Sequence, residues 1–327
     1  MEQDSIKIVL GIFFMGILPV LFVFLQRRKG FLFEKEIQRR MIYLLTLINM
    51  CGVLLWMGNA EMAFTVLMGS SLFHLLVVEG ISSIQGMGSK ADILQNYYDL
   101  EKEKKSFFGK QRNIFYRMES SGMFLSICFI VLLLLCGDYL FKRGQGQNIL
   151  GRIDGCILIL AGIIYFCLEG RRIGWKAVAE KMRDALQKRF LHKIFLFIIL
   201  EGSILVGSYL LVDGILAVSI YASILSYIVG FLFLSWCTNL VNIDLASSSQ
   251  DTLSGTCNQE SIFSITVLMG ICAVSRVIYI NTYEIYDIIL ISLISILIIL
   301  PIKIDSRLMG CCKVTAYFVL VFYILFR

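Results

Sequence analysis

The chain has 327 residues, of which 58% are hydrophobic and 17% charged, with a formal net charge of +6. A soluble domain carries about a quarter charged residues, and here the apolar residues fall in runs without Lys or Arg, such as Ile194–Leu200, Met123–Leu135 and Ile288–Leu300. This excludes a large soluble catalytic domain, and no phosphate-binding glycine loop, nucleophile elbow or His-Glu-x-x-His motif is present.

A backbone in lipid must satisfy its own hydrogen bonds, so apolar runs of about 20 residues read as spanning helices. Met1–Lys7 is polar. The stretch Ile8–Leu25 is followed by Gln26, Arg27, Arg28 and Lys29 rather than a cleavage site, which makes it a first span with a basic anchor. Spans are predicted at residues 8–25, 41–58, 61–81, 122–140, 153–169, 194–212, 215–238, 258–278, 284–302 and 308–326. Asn59 and Ala60 separate spans 2 and 3, and Asp213 and Gly214 are read as a short outer turn between spans 6 and 7. Lys313 interrupts the last span and is expected to snorkel to the interface. The ten cysteines follow no metal-ligand spacing and histidine occurs only twice, so no zinc site and no cofactor are expected. Cysteines within spans are read as small apolar packing residues.

Basic residues orient the layout. Loop 1–2 holds six Lys and Arg, loop 3–4 seven, loop 5–6 eight and loop 9–10 two. Loops 2–3 and 6–7 hold none, loop 4–5 three, and loop 8–9 only Arg276 at its edge. Positive loops stay in the cytoplasm, so the alternation predicts a multi-pass cell-membrane protein with both termini outside. The basic charge then reflects topology and the lipid bilayer, not nucleic acid. Trp175, Val178, Ala179, Met182, Ala185, Leu186 and Phe190 recur at helical spacing among basic residues, which predicts an interfacial helix. Lys90–Met118 is read the same way, and either segment offers a dock for a protein partner.

Two echoes connect the halves. Ser71-Leu-Phe-His-Leu-Leu-Val-Val-Glu-Gly80-Ile81 parallels Ser261-Ile-Phe-Ser-Ile-Thr-Val-Leu-Met-Gly270-Ile271, and Arg152-x-x-Gly155-Cys156 parallels Arg307-x-x-Gly310-Cys311. Their offsets differ by the extra length of loop 3–4 over loop 8–9. The expected fold class is therefore an all-α membrane protein of about ten transmembrane helices in two inverted five-helix repeats. Residues 1–169 form the first repeat, 170–193 a basic amphipathic linker and 194–327 the second repeat. Five spans per repeat is an odd number, which inverts the second copy, an arrangement of transporters with a midplane site. Apolar helices also resemble one another by composition alone.

These segments resemble the membrane region of the cation/calcium exchangers, the family that contains the sodium/calcium antiporters. Gly58-Asn-Ala-Glu-Met-Ala-Phe-Thr-Val-Leu-Met-Gly69-Ser-Ser-Leu-Phe-His74 is similar to that family's span-3 stretch, and Gly255-Thr-Cys-Asn-Gln-Glu-Ser-Ile-Phe-Ser264 is a poorer span-8 counterpart. Gly207–Gly214 resembles the end of its span 6, and Gly151–Gly155 the entry to its span 5. The resemblance implies a secondary cation antiporter, with spans 2, 3, 7 and 8 interrupted around the ions and spans 1 and 6 moving against them. Its signature Gly-Thr-Ser-Leu-Pro-Glu is degraded here. Span 7 ends Cys237-Thr-Asn-Leu-Val-Asn242, with Val241 and Asn242 in place of Pro and Glu, and span 2 offers only Asn49, Cys51 and Gly52.

The candidate ion-binding residues carried over are Ser70, His74, Thr238, Asn242, Glu260 and Ser264. Divalent hard cations want several oxygens including carboxylates. A site with one carboxylate, Glu260, suits a monovalent cation or a proton better by charge balance, so Ca²⁺, Na⁺, K⁺ and H⁺ all stand as transported ions. Each residue has a blander reading. Glu260 can be an N-terminal charge favoured by the helix dipole, and His74 a satisfied buried histidine. Glu79 can reach the cytoplasmic interface, Thr238, Asn239 and Asn242 can be interhelical glue, as can Glu169 and Glu201, and Asp213 a solvated loop acid. Two functions follow from the same residues: a cation antiporter with an altered site, or a non-transporting relative serving as a membrane scaffold or accessory subunit.

Overall fold

The computed structural model describes residues 2–21, 35–85, 122–137, 148–173, 190–221, 226–243, 250–299 and 306–326. The interfacial helix expected around Trp175–Phe190 and the segment Lys90–Met118 lie almost wholly outside these residues. The described helices are α1 (2–21), α2 (Lys35–Trp56), α3 (60–85), α4 (Gly122–Cys136), α5 (Arg152–Ile173), α6 (Phe190–Tyr221), α7 (226–243), α8 (250–275), α9 (Thr282–Ile299) and α10 (Ser306–Phe326), and residues 215–221 of predicted span 7 belong to α6. Among the described residues, six helices are long and apolar enough to cross a membrane, and three shorter apolar ones accompany them. Their large aliphatic and aromatic side chains are exposed along α1, α5, α6 and α10, the arrangement that lipid as solvent favours. The chain is a multi-pass helical membrane protein.

Two short strands, β1 (Asn148–Leu150) and β2 (Ile278–Ile280), pair with each other ahead of α5 and α9. Each of these helices opens with a carboxylate three residues along reaching back to a backbone N–H. Asp154 accepts from Gly151 at 2.7 Å, and Glu284 from Asn281 at 3.0 Å. Both satisfy an orphan donor of the first turn and favour the positive end of the helix.

The chain divides into two compact units, each drawing on both halves of the sequence. The first comprises Met1–Ser70, Leu150–Asn242 and Thr266–Ile278; the second comprises Ser71–Ile149, Ile243–Ile265 and Tyr279–Arg327. In the first unit α1 packs along α6, and the end of α8 crosses α5. In the second, the end of α3 crosses α10, and the first part of α8 packs on α3.

Small residues set these crossings. A Cβ built on Gly155 would lie 2.6 Å from the carbonyl oxygen of Gly270, and one on Gly270 would lie 2.7 Å from that of Gly155. The second unit repeats the device, with a Cβ on Gly310 2.6 Å from the Gly80 oxygen. Lipid offers no hydrophobic drive for helix association, so such backbone-to-backbone approach is what holds membrane helices together. Gly155→Ala and Gly310→Ala are each expected to cost about 1–3 kcal/mol through overpacking. Gly202→Ala, where nothing lies within 4 Å, should be neutral or better. Thermal unfolding in detergent checks the contrast.

Three expectations are corrected. Residues 213–214 form no turn, because α6 runs unbroken from Phe190 to Tyr221. Gly214 instead serves a close approach, with an added Cβ 2.8 Å from Ile8 and 2.9 Å from the Asp4 oxygen. Asp213 is accordingly a helical residue, 2.7 Å from the ammonium of Lys7 on α1, not a loop acid. The real turn between α2 and α3 rests on Gly58, whose φ of +88° belongs to the left-handed region. Finally, of the helices expected to be broken, α2, α3 and α8 run unbroken, as does α7 over its described residues 226–243. Spans 3, 7 and 8 instead carry wider π-helical turns at Phe73–Val78, Val229–Leu234 and Ser264–Leu268, while α2 is a regular helix. α1 has one as well, at Phe13–Ile17. π turns insert a residue into a helix and recur at functional sites.

Candidate functional site

Among the described residues, each unit holds a cluster of buried polar groups brought together from several helices.

In the second unit the π turn of α3 presents His74, which is fully buried, to α8, where Nδ1 stands 3.3 Å from Oε2 of Glu260. Glu260 is buried too. It lies ten residues into α8, nearly three turns from the helix start at Gln250. The helix-dipole reading therefore falls, since that effect fades within the first turn. Beside Glu260 on α8 are Ser261 and Ser264, both fully buried, whose hydroxyl oxygens have no hydrogen-bond partner among the described residues. Buried hydroxyls left this way are costly, and two next to a carboxylate and an imidazole make a place where a small cation or a proton can be held.

Five residues beyond His74 stands Glu79, whose backbone N–H closes the π turn by donating to the His74 carbonyl. Its Oε1 lies 2.9 Å from Nζ of Lys313 on α10, and both side chains are buried. Lys313 and Glu79 are thus held by each other inside the protein rather than by solvent. On the same face of α10, Tyr317 packs edge-on against Phe73, with ring centres 5.5 Å apart.

In the first unit Ser70 is the centre of a hydrogen-bonded knot. Tyr43 of α2 lies 2.9 Å from its hydroxyl, Asn239 of α7 donates to it at 2.9 Å, and Thr238 contacts it at 3.3 Å. Thr238 and Asn239 also each donate to the Ser235 carbonyl at 2.8 Å. Ser235 follows the π turn of α7, and its hydroxyl bonds the Phe231 carbonyl within it. Elsewhere in the unit Asn49 of α2 donates to Glu201 of α6 at 2.9 Å, which is helix-to-helix glue.

The structure thus pairs Ser70 with Thr238 and His74 with Glu260, and sets Ser264 one turn from Glu260 on α8. The side chain of Asn242 lies outside the described residues. Sequence reasoning missed the partnership of Lys313 with Glu79, although a lysine six residues into a span was a signal for a buried partner. It also passed over Tyr43, whose phenol in an apolar span needs a hydrogen bond, and Asp287, an acid buried in α9. Among the described residues no group of three or more His, Cys, Asp and Glu side chains is placed to hold a metal ion.

Neither the family models nor the curated proteins give a match. Solved structures do. The sodium-calcium exchanger NCX_Mj, soaked with 2.5 mM Na⁺ and 0.1 mM Ca²⁺, superposes with a TM-score of 0.55 at 16% identity, covering 97% of each chain. The same exchanger soaked with 10 mM Na⁺ and 10 mM Sr²⁺ gives 0.55 at 16%, covering 98% of this chain and 97% of that one. Native YfkE gives 0.61 at 16%, covering 98% of this chain and 90% of its own. The chain is therefore similar in fold, over nearly its whole length, to a sodium-calcium exchanger.

Proposed function

We propose that this protein is a cation transporter of the exchanger type, built from two inverted five-helix repeats, whose ion site is altered. The observation that carries the proposal is the buried contact between His74 and Glu260. An ionisable pair within spanning helices is expensive and marks a pathway for charge. Glu260 supplies negative charge where the cation/calcium exchangers place their own ligands by resemblance, and Ser264 adds a hydroxyl oxygen beside it. With a single carboxylate and an imidazole the pair favours a monovalent cation or a proton over Ca²⁺. The bilayer and the small cation are then the partners, and the ion is substrate, not cofactor.

Two features support the inverted repeat. The π turn at Phe73–Val78 and that at Ser264–Leu268 fall at matching places in the first sequence echo. The glycines of the two echoes also pair crosswise, Gly155 with Gly270 and Gly80 with Gly310, as exchange of the two repeats requires. Alternating access on this reading carries α1 and α6 together, since Gly11, Gly207 and Gly214 seat one helix closely on the other. Both termini lie outside, by the distribution of Lys and Arg.

A second reading, a non-transporting scaffold, draws on the unbroken helices and on the Ser70 hydroxyl being occupied by protein partners. Flux in proteoliposomes separates the two. Gradients of Na⁺, K⁺ and H⁺ are imposed in turn, with ⁴⁵Ca²⁺ as one counter-ion. Gradient-driven uptake that falls at least tenfold in Glu260→Gln is expected. Folded native protein that moves no cation under any gradient leaves the scaffold.

A further inference from the structure

Among the buried charged residues described in the second unit, Lys313 is the one cation. Lys313 sits against Glu79 at 2.9 Å, and Glu79 closes the π turn that presents His74 to Glu260. The end of α3 is thus packed between α10, which brings Lys313, and α8, which brings Glu260. With His74 neutral, the formal charges of Lys313, Glu79, His74 and Glu260 sum to minus one; with His74 protonated they sum to zero. Without Lys313 the same groups would hold two uncompensated carboxylates, the charge that suits a divalent ion.

We infer that Lys313 is a resident cation that permanently neutralises Glu79, so that the His74–Glu260 pair takes up a single positive charge and divalent cations are rejected. Lys313 is a specificity-determining residue acting through Glu79; it need not touch the transported ion. The inference rests on the transporter reading for its consequence in flux, whereas its electrostatic core stands apart from it. An ammonium is a compact charge on a flexible stem, and it is held here where lipid would otherwise make it costly. His74 and Glu79 are five residues apart, on the order of 7 Å of helix rise. At that range in a low-dielectric interior, a unit charge at one is strongly felt at the other.

The remaining ionisable groups do not duplicate this role. α10 adds Tyr317, which faces Phe73. α4 carries no charged residue between Gly122 and Cys136. On α9, Glu284 is engaged with the Asn281 N–H, and Asp287 is the other buried acid.

The test uses the purified full-length protein and two readouts. Equilibrium binding of ²²Na⁺ and ⁴⁵Ca²⁺ is measured for the native chain and for K313Q, K313R, E79Q and E79Q/K313Q. Removing the ammonium while keeping Glu79 makes the site more negative, and a divalent ion feels that change twice over. K313Q is expected to bind Na⁺ about tenfold and Ca²⁺ about a hundredfold more tightly. K313R and E79Q/K313Q should match the native protein, and E79Q should weaken both ions. The second readout is cation flux in proteoliposomes. Should K313Q not fold, E79Q alone carries the binding readout with the opposite sign. Na⁺ and Ca²⁺ affinities that stay unchanged in K313Q, or that fall by the same factor, would overturn the inference by reducing Lys313 to structural support. Affinities that shift as expected in a protein that moves no cation would sink the transporter reading alone.

Discussion

Replacing Glu79 with leucine should destabilise the protein by about 3–5 kcal/mol, and adding Lys313→Met should restore most of the loss. The argument is one of asymmetry. A buried ion pair contributes little net stability, because its mutual attraction is set against the desolvation of both members. Removing one member alone leaves the full desolvation cost of the other. Glu79 and Lys313 are close enough for a direct charge-assisted hydrogen bond at 2.9 Å, with side-chain exposures of only 10% and 7%. In E79L the ammonium of Lys313 must stay buried without its carboxylate or drag α10 out of its packing. E79L/K313M replaces the pair by apolar groups of similar volume, a change that is often neutral. Chemical unfolding of the native chain and the three variants, including K313M alone, completes the cycle. An E79L protein as stable as the native one would mean that Lys313 reaches the membrane surface after all, by snorkelling along its stem.

That pair also shows where the sequence is legible and where it is not. Spans can be read because lipid imposes one rule on every residue of a run, and most predicted positions fall on described helices, although the start of predicted span 7 belongs to α6. The glycines of the echoes were read only as marks of a repeat, whereas Gly155, Gly270, Gly80 and Gly310 sit at helix crossings, a role that small residues commonly take between membrane helices. Gly214 was misjudged because a glycine beside an acid is as much a turn signal as a packing signal; only the Ile8 side chain lying against it decides. The partners of buried charges are a different kind of fact. His74 and Glu260 are far apart in sequence and fall in the two counterpart stretches Gly58–His74 and Gly255–Ser264, but no pattern within either helix states that they meet. Lys313 was visible as an anomaly, yet its resolution depends on which face of α10 meets α3. Inter-helix geometry is set by many small contacts at once, so it is the last thing a single sequence yields.

Ser70→Ala should cost about 2 kcal/mol, and in that background Tyr43→Phe, worth about 1 kcal/mol alone, should cost almost nothing. A hydroxyl has one proton to give and two lone pairs to offer. Ser70 meets Tyr43, Thr238 and Asn239 at 2.9, 3.3 and 2.9 Å, so its capacity is filled within the knot. Tyr43 enters from α2, Ser70 sits on α3, and Thr238 and Asn239 belong to α7, so one oxygen ties three helices. The close approach of α3 and α7 depends on the neighbouring glycine, because a Cβ at Gly69 would run into the Phe231 carbonyl and Ser235. The knot and that contact therefore reinforce each other. Loss of the Ser70 hydroxyl removes its contacts with Tyr43 and Asn239 together, which is why the effects should not add. Thermal unfolding of the two single variants and the double variant measures the coupling. Independent, additive losses would show that Tyr43 finds its stabilising partner elsewhere. A non-additive stability loss, with cation flux surviving in folded Ser70→Ala, would assign Ser70 to holding helices and leave the chemistry of the ion to His74 and Glu260.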